Sequence, residues 1–194
     1  DLIIDCKGTV VISGIGKSGN IGRKITSTLA SLGTPSIFLH TSDAFHGDLG
    51  ILRKNDLLIL ISNSGETDEL VRLLNYANKN GIKSIAITGK IDSTINKKAT
   101  CTLNAVVENE ACPLNLAPTC STSVTMALGD ALASICAMER GFKENDFARF
   151  HPSGNLHKLN FEIVDNIMNT QFLPICDKEN TIEEIIIEIS KGQQ

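Results

Sequence analysis

Short apolar runs alternate with amphipathic stretches along this chain. TVVISG (9–14), SIFLH (36–40), LLILIS (57–62), SIAIT (84–88) and TLNAVV (102–107) read as strands. The stretches Ser18 to Leu32 and Glu66 to Asn80 read as helices, and a short helix is expected near Ser93. Runs that are apolar throughout and joined by helices belong to a parallel sheet covered on both faces. The expectation is therefore a doubly wound α/β domain. Gly33-Thr34-Pro35 and Asn80-Gly81 supply the helix stops that such crossovers need.

The longest apolar stretch, Cys120 to Met138, has the length of a membrane span. Asp130, Gly129 and five Ser/Thr hydroxyls interrupt it, so it reads as a buried core helix and no membrane segment is expected. After Gly141 comes the polar ENDFARFHPSGN, and from Phe161 the text changes character, with a small strand and an amphipathic helix expected. Residues 1–160 thus form one domain and 161–194 a C-terminal extension that looks like the opening of another module. The start, DLIIDCKGTVVISG, lacks the basic segment and cleavage site of a signal peptide.

At 194 residues and 42% hydrophobic content, the chain has enough material for one good core. A net charge of -4, with no clustered Lys and Arg, argues against a nucleic-acid or anionic-membrane partner. Six cysteines without a CxxC pair suggest neither a zinc site nor a disulfide framework, and a cytoplasmic setting fits them best.

Two loops carry the chemistry. GIGKSG (14–19) matches GxGxxG after a strand, but the second strand ends Leu39-His40 without the acid that a dinucleotide ribose requires. A P-loop fails as well, because its first glycine would fall at Val11. What remains is Lys17 and Ser18 at a helix start, beside a second hydroxyl-rich turn, SNSGET (62–67). Both turns are expected at the carboxyl edge of the sheet, where open α/β sheets bind ligands and amides hold phosphates. The alternative is that Ser62, Ser64 and Thr67 only cap the following helix.

GIGKSGNIGRKITSTLASLGTP, FHGDLG (45–50), ISNSGETDELVRLL, ENEACPLNLAPTCST (108–122) and DFARFHPSG (146–154), in that order, resemble the sugar isomerase (SIS) family. Within it they are most similar to the arabinose 5-phosphate isomerases, on the strength of ACPLNLAPT and FHPSG. The resemblance implies a three-layer flavodoxin-like or Rossmann-like sandwich. It implies interconversion of ribulose 5-phosphate and arabinose 5-phosphate toward Kdo, for lipopolysaccharide or capsule; that chemistry needs no cofactor, and no metal-ligand spacing is visible in the sequence. It also implies a homotetramer whose sites borrow residues from neighbouring subunits, and a nucleotide sugar such as CMP-Kdo is a candidate feedback ligand. VDNIMNTQFLPI, from Val164, resembles the start of a first, incomplete CBS module.

Shifting a carbonyl between C1 and C2 needs a base and a group that stabilises the enediolate. The resemblance places Lys17, His46, Glu69, Glu110 and His151 in catalytic motifs. Of these, Lys17 would meet the phosphate or the enediolate, and Glu69 would orient Lys17 or a sugar hydroxyl. His46 is a candidate proton carrier, its plainer alternative being a helix-start histidine with a satisfied hydrogen bond. Glu110 is favoured over Glu108 as the C1/C2 base on the resemblance alone, and His151 is placed in ring opening across a subunit boundary. Ser62, Ser64 and Thr67 are assigned to the phosphate, with Ser18 and Thr119 as weaker companions. Asn20 and Ser153 depart from the family pattern, where histidine and glycine are commoner. The competing functions are isomerisation of another sugar phosphate and a non-enzymatic module that senses one.

Overall fold

The computed structural model describes residues 1–152, 163–164, 168 and 175–191. Five strands make one sheet: β1 (Val10–Gly14), β2 (Ser36–Phe38), β3 (Leu57–Ile61), β4 (Lys83–Thr88) and β5 (Cys101–Asn104). Their order is β2-β1-β3-β4-β5 and every pairing is parallel. Around them run α1 (Gly16–Ser31), α2 (Thr41–Ala44), α3 (Asp68–Lys79), α4 (Thr94–Lys98), α5 (Cys120–Glu139) and α6 (Glu144–Phe150).

Alternation along the strands explains the layering. Val10 and Ile12 of β1, with Leu57, Ile59 and Ile61 of β3, pack with Ile25 and Leu29 of α1 and Ala133 and Cys136 of α5. The intervening Val11, Leu58 and Leu60 pack with Leu70, Leu73, Leu74 and Ala77 of α3. Burying each such Leu, Ile or Val contributes roughly 1.5–3 kcal/mol, so both helical layers are needed to shield the sheet. Because α1 and α3 leave neighbouring strands toward opposite faces, a crevice opens between the carboxyl ends of β1 and β3. Gly14 and Ile61 stand level there.

The helix stops fall where expected: Gly33 and Gly81 take φ of 86° and 68°, values that cost a side-chain-bearing residue energy. Several expected boundaries move. The strand expected at 102–107 ends at Asn104, whose Oδ1 accepts from Val106 N at 2.9 Å and turns the chain away. The strand expected at 36–40 stops at Phe38, because His40 becomes the cap of α2 and accepts from Ser42 N. The helix expected from Glu66 begins at Asp68.

The expected buried core helix at 120–138 is buried on one face only. Ser121, Thr125, Gly129 and Ala133 recur every fourth residue on that face, and a Cβ on Gly129 would come within 2.4 Å of Ile25. That contact is what lets α5 lie close on α1. Met126, Ile135 and Met138 are exposed. Apolar residues run right round this helix, so the sequence could not say which face packs. Among the described residues it is the one helix long and apolar enough to cross a membrane.

The chain divides into two compact units, Asp1–Phe150 and His151–Gln194. In the second, α7 (Ile182–Lys191) starts with a capping box in which Thr181 N donates to Glu184 Oε2 and Glu184 N to Thr181 Oγ1. The small strand expected from Phe161, the 160/161 boundary, Ser153 and most of VDNIMNTQFLPI lie outside the described residues.

Candidate active site at the carboxyl edge of the sheet

The turn after β3 is built from its own hydroxyls. Ser62 is buried, its amide donates to Ile87 O, and its Oγ accepts from Gly65 N at 3.0 Å. Ser64 Oγ accepts from Glu66 N at 3.2 Å. Thr67 occupies the N-cap of α3 without making a side-chain cap; its hydroxyl lies 3.0 Å from that of Ser62. Pure capping therefore does not describe these residues, since none of the three hydroxyls bonds an α3 amide. Gly65 holds the turn at φ 63°, which strongly favours glycine.

Glu66 is the surprise of this turn. Its Oε1 accepts from Thr94 N at 2.8 Å, and that bond, with nearby Lys90 and Lys97, holds the carboxyl below its usual range. Glu69 lies exposed in the first turn of α3, as does Asp68. Acids at a helix start are favoured by the helix dipole.

Across the crevice, Lys17 is the second residue of α1 and is exposed. Ser18 lines a narrow cleft of about 30 Å³ together with Asn63, Pro118, Ser121 and Thr122. Three segments far apart in sequence meet there: the start of α1, the turn after β3 and the start of α5.

Glu110 organises the third segment. Its Oε2 accepts from Thr119 N (2.7 Å), Thr119 Oγ1 (3.0 Å) and Ser121 N (3.2 Å), and its Oε1 accepts from Ser121 Oγ. These donors, Ser121 Oγ first, lower its carboxyl to about 2. The expectation of a C1/C2 base meets a physical obstacle, because so weak a base has little driving force to take a proton at neutral pH. As it stands, Glu110 caps α5. Thr119, expected as a companion to the phosphate, spends its hydroxyl on Glu110 and on Ala111 N.

The helix-start histidine with a satisfied ring is His40, not His46. His46 is exposed just past α2, and the neighbouring Phe45 packs its ring 4.4 Å from the Arg72 guanidinium. That contact sets the FHG turn beside the first turns of α3, on the same side of the sheet as Glu69. His151 opens the second compact unit. Among the described residues, no three His, Cys, Asp or Glu gather to hold a metal ion.

A family model described as the SIS domain matches residues 2–135. The chain belongs to the SIS domain family. The SIS sequence is 48% identical over 194 residues to arabinose 5-phosphate isomerase KpsF of Escherichia coli O6:H1, covering 100% of this chain and 59% of the relative. Against arabinose 5-phosphate isomerase KdsD of Pseudomonas aeruginosa it is 48% identical over 169 residues, 87% of this chain and 52% of the relative. The chain thus spans less than two thirds of the length of these curated relatives. Among solved structures, an E. coli CFT073 protein in complex with arabinose 5-phosphate superposes with a TM-score of 0.76 at 42% identity, over 78% of this chain and 80% of that one.

Four polar residues of the SIS cleft escaped sequence reasoning: Asn63, Ser121, Thr122 and Thr125. Asn63 was visible inside SNSGET. Ser121, Thr122 and Thr125 lay in a stretch whose apolar length drew attention to burial instead.

Proposed function

We propose that this SIS domain is an aldose-ketose isomerase interconverting D-arabinose 5-phosphate and D-ribulose 5-phosphate through an enediolate, toward Kdo for lipopolysaccharide or capsule. The observation that carries the reading is the arabinose 5-phosphate complex of a 42% identical protein whose fold superposes on this one. The meeting of Ser18, Asn63, Ser121 and Thr122 from three segments at the carboxyl edge of the sheet supports it, since polar side chains gathered there suit a phosphate.

On this reading the phosphate is held by Ser62, Ser64 and Thr67, with Ser18 facing them, and Lys17 supplies positive charge. A base removes the proton from C2 of the aldose and returns one to C1, while the O2 proton moves to O1. The groups available are His46 and Glu69 beside α3, Glu110 before α5, and His151. Glu110 becomes a base only by giving up Thr119 and Ser121. In its capping state its work is to set the start of α5.

The homotetramer reading rests on the family resemblance. The exposed Met126, Ile135 and Met138 of α5, with Leu114 and Leu116 exposed in the preceding loop, offer an apolar surface that contact between copies of this chain would cover. The tail from residue 161 is read as the opening of a CBS module, in keeping with relatives longer than this chain.

Proton NMR of the protein with arabinose 5-phosphate in D2O tests the reading. The expected result is ribulose 5-phosphate with deuterium at C1, and deuterium at C2 of the arabinose 5-phosphate re-formed from it. Saturable binding of the sugar phosphate without turnover would instead establish a sensor.

A further inference from the structure

The turn after β3 is braced by a helix that carries none of the proposed site residues. The first two amides of α4 both donate into that turn: Thr94 N to Glu66 Oε1 at 2.8 Å and Ile95 N to Gly65 O at 3.1 Å. The third, Asn96 N, goes to the α4 cap, Ser93 Oγ, at 3.3 Å. Ser93 Oγ also stands 2.1 Å from where a Gly65 Cβ would be, so turn and helix start are in direct contact. On the other flank Gly89 N donates to Asn63 O at 3.1 Å, and Asn63 Oδ1 stands 2.2 Å from where a Gly89 Cβ would be.

A carboxylate beside a phosphate repels it. Glu66 nonetheless sits between the hydroxyls of Ser64 and Thr67 in the chain. The structure resolves the conflict by spending the Glu66 carboxylate on the α4 amide. We infer that Glu66 is a positioning residue, which fixes the backbone of the phosphate turn through Thr94 and touches no substrate. This rests on the isomerase reading of Ser62, Ser64 and Thr67.

Thr94→Pro offers a clean way to remove the donor. Thr94 is the first residue of α4, a position where proline fits, and the preceding Ser93 is extended at φ -73°, ψ 159°, as proline requires. Glu66→Ala, Glu66→Gln, Thr94→Pro and the Glu66→Ala/Thr94→Pro double variant are compared by steady-state kinetics and calorimetric binding of arabinose 5-phosphate. Amide exchange at Gly65 is followed in each.

Glu66→Ala and Thr94→Pro are each expected to raise KM and Kd about tenfold with kcat within about twofold, and the double variant to be no worse than either single one. Glu66→Gln keeps an acceptor oxygen and is expected to stay within about threefold of the unaltered protein. The inference is overturned if Glu66→Gln is as damaging as Glu66→Ala while Thr94→Pro is silent, because the carboxylate then meets the substrate itself. It is equally overturned if Glu66→Ala changes nothing. Should the unaltered protein neither bind nor convert arabinose 5-phosphate, the isomerase reading fails, and Gly65 exchange decides alone. Faster exchange in Glu66→Ala and Thr94→Pro but not in Glu66→Gln supports the brace, and unchanged exchange ends it.

Discussion

The turn after β3 and the loop before α5 both feed the same cleft, yet they are held in opposite ways. The first is tied from several sides, by Ile87, Gly89, Thr94 and Ile95. The second, from Val107 to Thr119, is largely exposed and is fastened to α5 through the single carboxylate of Glu110. Within it, Cys112 Sγ accepts from Ala117 N and Leu116 N, and Asn115 Oδ1 accepts from Glu110 N. These bonds fold the loop on itself without attaching it to the sheet. One side of the site is thus set in advance, and the other hangs on one group.

That contrast gives an order to the expected effects. Glu110→Ala should be the largest, lowering turnover by about a hundredfold or more through loss of the α5 start even if Glu110 never touches a proton. Faster amide exchange at Thr119 and Ser121 would separate this cause from a purely chemical one. Its pH dependence follows from the depressed carboxyl. The folded value of about 2 lies below the ordinary 4.5, so the stabilisation is complete above about 4.5 and is lost as pH falls through about 2. The melting difference between the unaltered protein and Glu110→Gln should accordingly be flat from pH 8 to about 5.5 and shrink below pH 4.5.

Gly65→Ala ranks second. It forces a side chain into left-handed backbone and against Ser93, costing about 1–3 kcal/mol, with the melting temperature as the readout. A loss of arabinose 5-phosphate affinity larger than the loss of stability would show that this rigid turn is also the phosphate site. Asn115→Ala comes next. Asn115 is the one non-glycine at positive φ among the described residues (52°), and its replacement should cost about 1 kcal/mol. Limited proteolysis should then cut between residues 108 and 118 while leaving the turn after β3 intact.

Ser64→Ala should be the mildest for stability, within about 0.5 kcal/mol, because an exposed hydroxyl loses only the Glu66 amide. A tenfold rise in KM without a change in melting would place Ser64 on the phosphate. No rise would leave the work to Ser62 and Thr67.

Much of this was legible beforehand. The five apolar runs located all five strands, and the two hydroxyl-rich turns landed side by side because β1 and β3 are neighbours. The ends of elements were harder, since Asn104 and His40 stop or start structure through single side-chain bonds that no periodicity records. The partly exposed α5 was illegible for another reason: an apolar helix reads alike whether it faces its own core or solvent.

Residue pattern alone determined the layers, because strand and helix periods select which side chains must leave water, wherever the partner elements lie. The tasks of the acids were decided only in three dimensions. Glu66, Glu69 and Glu110 are indistinguishable as glutamates in polar segments of a sequence. One meets an amide of Thr94, 28 residues away, another the amides and hydroxyls that open α5, and the third is exposed at a helix start. A carboxylate takes its role from the donors that folding brings to it, and those donors are mostly backbone amides, which every sequence carries and none displays.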